Sequence, residues 1–368
     1  MAERKPIFTV LKLLTLVLAL GALWWVFRSV GFRNIFQAMR NASRVSIAAS
    51  AALFLAVFAL WAVRWQQVMK PEQPKSLLRV FPILMAGIFG NVVTPGARVG
   101  GEPIRAYYMS KVLGGERSAC FGTVLADKFS NWVVFMGFLL ASVAFVIIYV
   151  PLPLASKIVM AALVALVVVP VVSGVLLREK IGTRGGLLGR LLPWLYNFPL
   201  LRVLRRRFRT YEHFEDYAIG RLESLWEPIA HTAGSPSVII RIVLLSVISW
   251  LLCCLAHYVL FLGLGADIGF MRVLIIVTVT TFLSDMSISP GGAGFTEAIM
   301  IGLCAAFGVD SRVAAAVTLI SRGLFYLYGL GLGGACLAVL TLLYGRSKAV
   351  ERSLPASGGD TKNGKSEV

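Results

Sequence analysis

Residues 94–102 read Thr94-Pro95-Gly96-Ala97-Arg98-Val99-Gly100-Gly101-Glu102, and a later stretch reads Ser289-Pro290-Gly291-Gly292-Ala293-Gly294-Phe295-Thr296-Glu297. Pro95 and Pro290 stand 195 residues apart, as do Glu102 and Glu297. The same offset, without gaps, places Ile104 on Ile299, Arg117 on Arg312, Ala119 on Ala314 and Thr123 on Thr318. It also carries the apolar stretch 45–65 onto 240–260 and the stretch 118–149 onto 313–344. The chain therefore reads as two copies of one unit: an apolar span, a broken hairpin and a long apolar span.

The setting of these breaks is apolar. Of 368 residues, 58% are hydrophobic and only 15% are charged, too little polar surface for a soluble domain of this size. Uncharged stretches such as 45–63, 129–156 and 158–177 are each long enough to cross roughly 30 Å of hydrocarbon as a helix. Helices satisfy the backbone internally, and continuous rather than alternating apolar runs argue against a β-barrel. The expected fold is all-α, a polytopic transmembrane helical bundle. Spans are expected at about 7–28, 45–65, 118–149, 153–177, 238–263 and 312–344, with broken regions at 80–113 and 272–309. A single membrane domain covers 1–345, with repeat 1 at about 43–149, repeat 2 at about 238–344, and a polar, disordered tail at 346–368. The N-terminal stretch reads as an uncleaved first span, because its apolar part runs on into Trp24 and Trp25 with no small-residue cleavage site.

The net charge of +18 reads as positive-inside topology and attraction to anionic lipid, not as nucleic-acid binding. With both termini in the cytoplasm of a cell (inner) membrane protein, twenty-six of the 36 Lys and Arg residues fall inside and seven outside. Arg28, Arg33, Arg40 and Arg44 fit this scheme poorly. Three expected spans separate the two broken hairpins, so the hairpins enter from opposite sides. That makes an inverted repeat with two re-entrant-like hairpins, an architecture that supports alternating access. Within the insert 178–236, Phe208, Tyr211, Phe214, Ala218, Leu222, Leu225 and Ile229 form one helical apolar face. It suits either an interfacial helix recognising acidic headgroups or a cover over the cytoplasmic helix ends.

Proline removes a backbone donor and glycine permits reversal, so each break frees backbone groups that protein or water must satisfy. Such a break either kinks a helix or lines a cavity, where Gly100, Gly101, Gly292 and Gly294 would let the backbone approach a ligand. Arg98, Glu102, Arg105, Asp127, Lys128, Asp285, Glu297 and Arg322 lie in or beside apolar segments. Charges at depth pair and face the interior. They serve either as ion pairs fixing helix register or as a polar path in which arginines hold a phosphate while acids bind a proton or an amine. The five cysteines show no CxxC pair or metal spacing, the three histidines suggest no triad, and no cofactor or metal is expected. No GxxxxGK[ST], GxSxG or HExxH motif occurs, so neither an ATPase nor these hydrolase chemistries are expected.

The runs TPGARVGGEPIRAYY (94–108), ADKFSNW (126–132), ISPGGAGFTE (288–297) and LISRGLFYLYG (319–329) resemble the flippase-like membrane domain of the lysylphosphatidylglycerol synthase family, over about 10–345. The resemblance implies movement of lipids between leaflets, with relatives linked to polyprenyl-phosphate sugars and hopanoids. It puts Arg98, Glu102, Arg105, Pro290, Gly291, Glu297 and Arg322 at a polar cavity. Asp127-Lys128 departs from the acid-arginine pair expected there. Full-length synthases continue into a soluble aminoacyl-transfer domain, so this chain, ending at Val368, is expected not to be an enzyme. The expectation is a lipid flippase-like transporter for an anionic phospholipid or lipid-linked intermediate, with membrane lipids as partners. The alternatives are an accessory or scaffold subunit of a lipid, hopanoid or glycan biosynthesis system, and a transporter of a small solute.

Overall fold

A peptide group left open in hydrocarbon costs several kcal/mol, so long uncharged runs are driven into helix. The computed structural model describes residues 42–69, 76–94, 100–149, 234–287 and 292–344, with scattered positions such as 225, 228–232 and 289. Among the described residues there is no strand. The first half forms α1 (Arg44–Val68), α2 (Leu77–Val93), α3 (Gly101–Val112) and α4 (Arg117–Tyr149). The second forms α5 (Pro236–Gly263), α6 (Phe270–Asp285), α7 (Phe295–Ala306), α8 (Ser311–Tyr326), a π-helical stretch Leu327–Leu332 and α9 (Gly333–Tyr344). Moving the first set by 195 residues meets every corresponding boundary of the second to within three residues, with α8 to α9 standing for α4.

Among the described residues four segments are long and apolar enough to cross a membrane: α1, α4, α5 and the continuous run Ser311–Tyr344. They coincide with the expected spans 45–65, 118–149, 238–263 and 312–344. The expected spans 7–28 and 153–177 lie outside the described residues, as do the tail and most of the insert. The expected broken regions resolve into the pairs α2–α3 and α6–α7. At 12 residues each, α3 and α7 reach only about 18 Å, too short to cross alone.

α1 and α5 are equivalent helices and run antiparallel. Ser43 N donates to Gly263 O at 3.0 Å, Phe54 meets His257 edge-on at 5.3 Å, and Arg64 Nη1 donates to Ser246 Oγ at 3.4 Å. Numbers rise along one helix as they fall along the other. The remaining packing also exchanges halves. α9 of the second half lies on α2 of the first, with Gly333 against the Met85 carbonyl. α4 of the first half joins α6 of the second through Phe135, Leu139, Val143 and Phe282. One apolar core surrounds Trp65, Ile83, Met85, Met109 and Val124, and another surrounds Phe261, Ile276, Cys304 and Ala314. Outward-facing side chains are also apolar, including Leu140, Ile148, Ile240, Leu244, Val339 and Leu342, as lipid contact requires. None of the five cysteines forms a disulfide.

The glycines at the first break have a structural role. An added Cβ on Gly101 would sit 2.0 Å from the Gly87 carbonyl oxygen, and one on Gly90 would sit 3.0 Å from the Gly101 Cα. α3 thus folds back directly onto α2, and Asn91 Oδ1 takes up the Gly101 backbone N–H at 2.7 Å, satisfying a donor that the helix start leaves open. The missing side chains of Gly100 and Gly101 leave room for Thr94 and α2. At the second break Gly292 and Gly294 hold φ of +74° and +80°, a region that L side chains avoid. Pro95, Gly96, Pro290 and Gly291 lie outside the described residues. Gly101→Val is expected to abolish a monodisperse, foldable protein in size-exclusion chromatography. Gly137→Ala, with no heavy atom within 4 Å of the new Cβ, should elute unchanged.

The described end of the insert packs on the bundle. Gly122 of α4 accommodates the Leu225 carbonyl, which an added Cβ would meet at 2.5 Å. Ile229 packs with Val68, Ala126 and Ile242. Leu225 and Ile229, two members of the apolar face, therefore pack on the bundle at the ends of α1, α4 and α5. At the other end of the bundle Asp310 caps α8. It accepts from the Arg312 backbone N–H at 2.8 Å and from its guanidinium at 3.2 and 3.1 Å. These bonds hold the Asp310 carboxyl below the usual range.

Candidate functional site

Each hairpin presents a glutamate in the first turn of its short returning helix, Glu102 in α3 and Glu297 in α7. A helix N-terminus carries partial positive charge and favours an acid there. Both glutamates are buried, at 4% and 2% exposure, and each finds its cation on the following long helix. Lys128 Nζ donates to Glu102 Oε1 at 2.7 Å, and Arg322 Nε donates to Glu297 Oε1 at 3.0 Å. The 195-residue offset superposes the two glutamates and brings Lys128 within one residue of the Arg322 position, so the two pairs are equivalent.

The surroundings of the pairs differ. In the second half Arg322 also donates from Nη2 to Tyr326 Oη at 2.6 Å and lies over the Tyr326 and Phe325 rings at 4.8 and 5.2 Å. In the first half the residue equivalent to Arg322 is an acid, Asp127, only 1% exposed. It binds two guanidinium groups, accepting from Arg64 Nε at 2.9 Å on Oδ1 and from Arg105 Nη2 at 2.9 Å on Oδ2. Arg64 Nη1 also donates to Asn131 Oδ1, and Arg105 stacks over the Trp65 ring at 4.0 Å. The five charged groups Arg64, Arg105, Lys128, Asp127 and Glu102 carry a formal net charge of +1. Lys128 is their most open member, with its side chain 40% exposed.

Several buried polar atoms in these clusters have no hydrogen-bond partner among the described residues: Glu102 Oε2, Arg105 Nε and Glu297 Oε2. Ser284 Oγ on α6 is in the same condition, and its Cβ lies 3.7 Å from where a Gly292 Cβ would stand. Buried polar atoms are nearly always satisfied, and their concentration at the two breaks points to a ligand, water or proton there.

Of the residues expected from sequence, Glu102 meets Lys128, Arg105 meets Asp127, and Glu297 meets Arg322. Asp285 ends α6 on the approach to the second break. Arg98 lies outside the described residues. Arg64 was missed. At the foot of an apolar span it reads as a flanking cytoplasmic charge, yet it is 4% exposed and bound to Asp127. Its neighbour Trp65 and the unbroken helical pattern to Val68 were the available signal. Among the described residues no group of three or more His, Cys, Asp or Glu could hold a metal ion.

Residues 12–333 match the family model described as the lysylphosphatidylglycerol synthase TM region. A UPF0104 membrane protein of Methanothermobacter thermautotrophicus is 28% identical over 309 residues, covering 83% of this chain and 88% of the relative. A UPF0104 membrane protein of Pyrococcus horikoshii is 27% identical over 327 residues, covering 87% and 92%. One of Methanocaldococcus jannaschii is 23% identical over 316 residues, covering 84% and 89%.

Proposed function

The chain belongs to the family of the lysylphosphatidylglycerol synthase transmembrane region, and on that premise we propose that it carries the headgroup of an anionic phospholipid or lipid-linked intermediate between leaflets, without an ATPase of its own. The observation that carries this reading is the matched pair of buried glutamate–cation contacts, Glu102–Lys128 and Glu297–Arg322, at the starts of two half-length helices. Buried charge is expensive in a bilayer and is retained where it serves passage. The antiparallel α1 and α5 and the exchanged packing of the halves support an inverted repeat with two re-entrant hairpins.

In this reading the hairpins form the two sides of one headgroup path while the acyl tails stay in lipid. The first cluster, with its net charge of +1, attracts the phosphate electrostatically, and guanidinium forks hold its oxygens. The chain acts as a transporter rather than an enzyme, in the cell (inner) membrane with both termini cytoplasmic.

Native mass spectrometry tests the substrate class. Wild-type protein taken from its membrane should retain a phosphate-bearing anionic lipid far above its share of the bilayer. Arg322→Ala should cut that retention about tenfold, the value of one lost charge-assisted contact. Lipid carried in proportion to the bilayer would contradict the proposal and favour a small-solute transporter or a scaffold.

A further inference from the structure

We propose that passage of the anion is coupled to a proton carried by Glu297, one proton per anion. The inference rests on the headgroup-carrying reading above and adds its energy source. Glu297 is buried, its Oε1 is held by Arg322 Nε at 3.0 Å, and its Oε2 has no hydrogen-bond partner among the described residues. Arg322 is therefore the cation both for its own glutamate and for any phosphate that reaches the second break. A phosphate oxygen taking the Arg322 fork displaces the carboxylate.

The displaced carboxylate then lies in an apolar core with no compensating charge among the described residues. An isolated buried carboxylate takes a proton instead of remaining ionised. Helices α6 and α8 pack against α7. Their titratable groups are Asp285 at the end of α6, Arg322 and Tyr326 on α8, and Arg272 and Arg312, which are exposed. Asp285 is a second acid, and Arg272 and Arg312 sit at the far ends of their helices, so none supplies a replacement cation. The proton comes from water on the side to which the break is open. It is released on the other side when the phosphate leaves and Arg322 re-engages Oε1. Arg322 thus alternates between two anions, and the charge of the loaded site does not change.

In the first half the same exchange is open to Glu102 and Lys128, but Lys128 is half-exposed, so water screens the displaced acid there. Glu297 is the proton site because its cation is buried as well, at 9% side-chain exposure.

The test uses the full chain reconstituted in phosphatidylethanolamine/phosphatidylglycerol vesicles bearing a trace of fluorescent phosphatidylglycerol. A gradient of one pH unit is imposed, and the leaflet distribution is read by dithionite quenching. One proton per anion should shift the tracer ratio about tenfold, and an ionophore that collapses the gradient should remove the shift. Glu297→Asp, which keeps a carboxyl, should retain a shift, and Glu297→Gln should show none. Rapid exchange by wild type with a ratio unmoved by the gradient would overturn proton coupling and leave the headgroup reading standing. No exchange by wild type would overturn both. A gradient response persisting in Glu297→Gln would assign the proton elsewhere and overturn the role of Glu297.

Discussion

Replacing Asp127 by alanine is expected to destabilise the protein by about 3–5 kcal/mol, the cost of removing one partner from a buried ion pair. Asp127 is, among the described residues, the carboxylate bound to both Arg64 and Arg105, at 2.9 Å each, and its side chain is 2% exposed. Without it, two guanidinium groups are left as like charges in an apolar interior. Arg105 keeps its stacking on Trp65 and Arg64 keeps Asn131 and Ser246, but neither contact offsets a full charge. Lys128→Ala is the contrasting case. It removes a side chain already 40% exposed but leaves Glu102, 5% exposed, without that cation, so the loss should fall between the surface and buried limits, at about 1–3 kcal/mol. Reversible unfolding in mixed micelles would measure both. Equal, small losses for the two variants would show that Asp127 is not the hub of the first cluster.

Arg322→Ala should slow leaflet exchange by roughly 10–100-fold, the value of one or two charge-assisted hydrogen bonds to a phosphate. Arg322→Lys should recover only part of the rate, because lysine keeps the charge and loses the planar fork. Arg312→Ala should exchange like wild type, since its side chain is 62% exposed and its ion pair among the described residues is with Asp310. Each variant should first elute as wild type does, because Glu297 loses its partner in Arg322→Ala. Exchange unaffected in a well-folded Arg322→Ala would make the second cluster a structural brace.

Much of this organisation was legible in the amino-acid order because a repeat is its own control. The 195-residue spacing of two Pro-Gly and Glu positions relates each described helix of the second half to one of the first, with boundaries that match to within three residues. Burial of Glu102, Asp127, Glu297 and Arg322 followed from the cost of charge at depth. Pairing was less legible. Asp127 stands where the second half has Arg322, and such an acid needs cations from elsewhere. Arg64 comes from 63 positions away, in a place where a flanking basic residue is ordinary. The role of Gly100 and Gly101 was hidden for a similar reason. Glycine signals close approach without saying whether ligand or helix approaches, and here α2 fills the space.

The claim at the centre of this account is that the two hairpin clusters carry lipid headgroups across the bilayer, and leaflet exchange in reconstituted vesicles tests it most directly. Vesicles of phosphatidylethanolamine and phosphatidylglycerol holding the wild-type chain should render a fluorescent anionic phospholipid of the inner leaflet accessible to dithionite. They should do so at a rate well above protein-free vesicles and above vesicles holding Arg322→Ala. Inner-leaflet lipid as protected with the wild-type chain as without protein would contradict it.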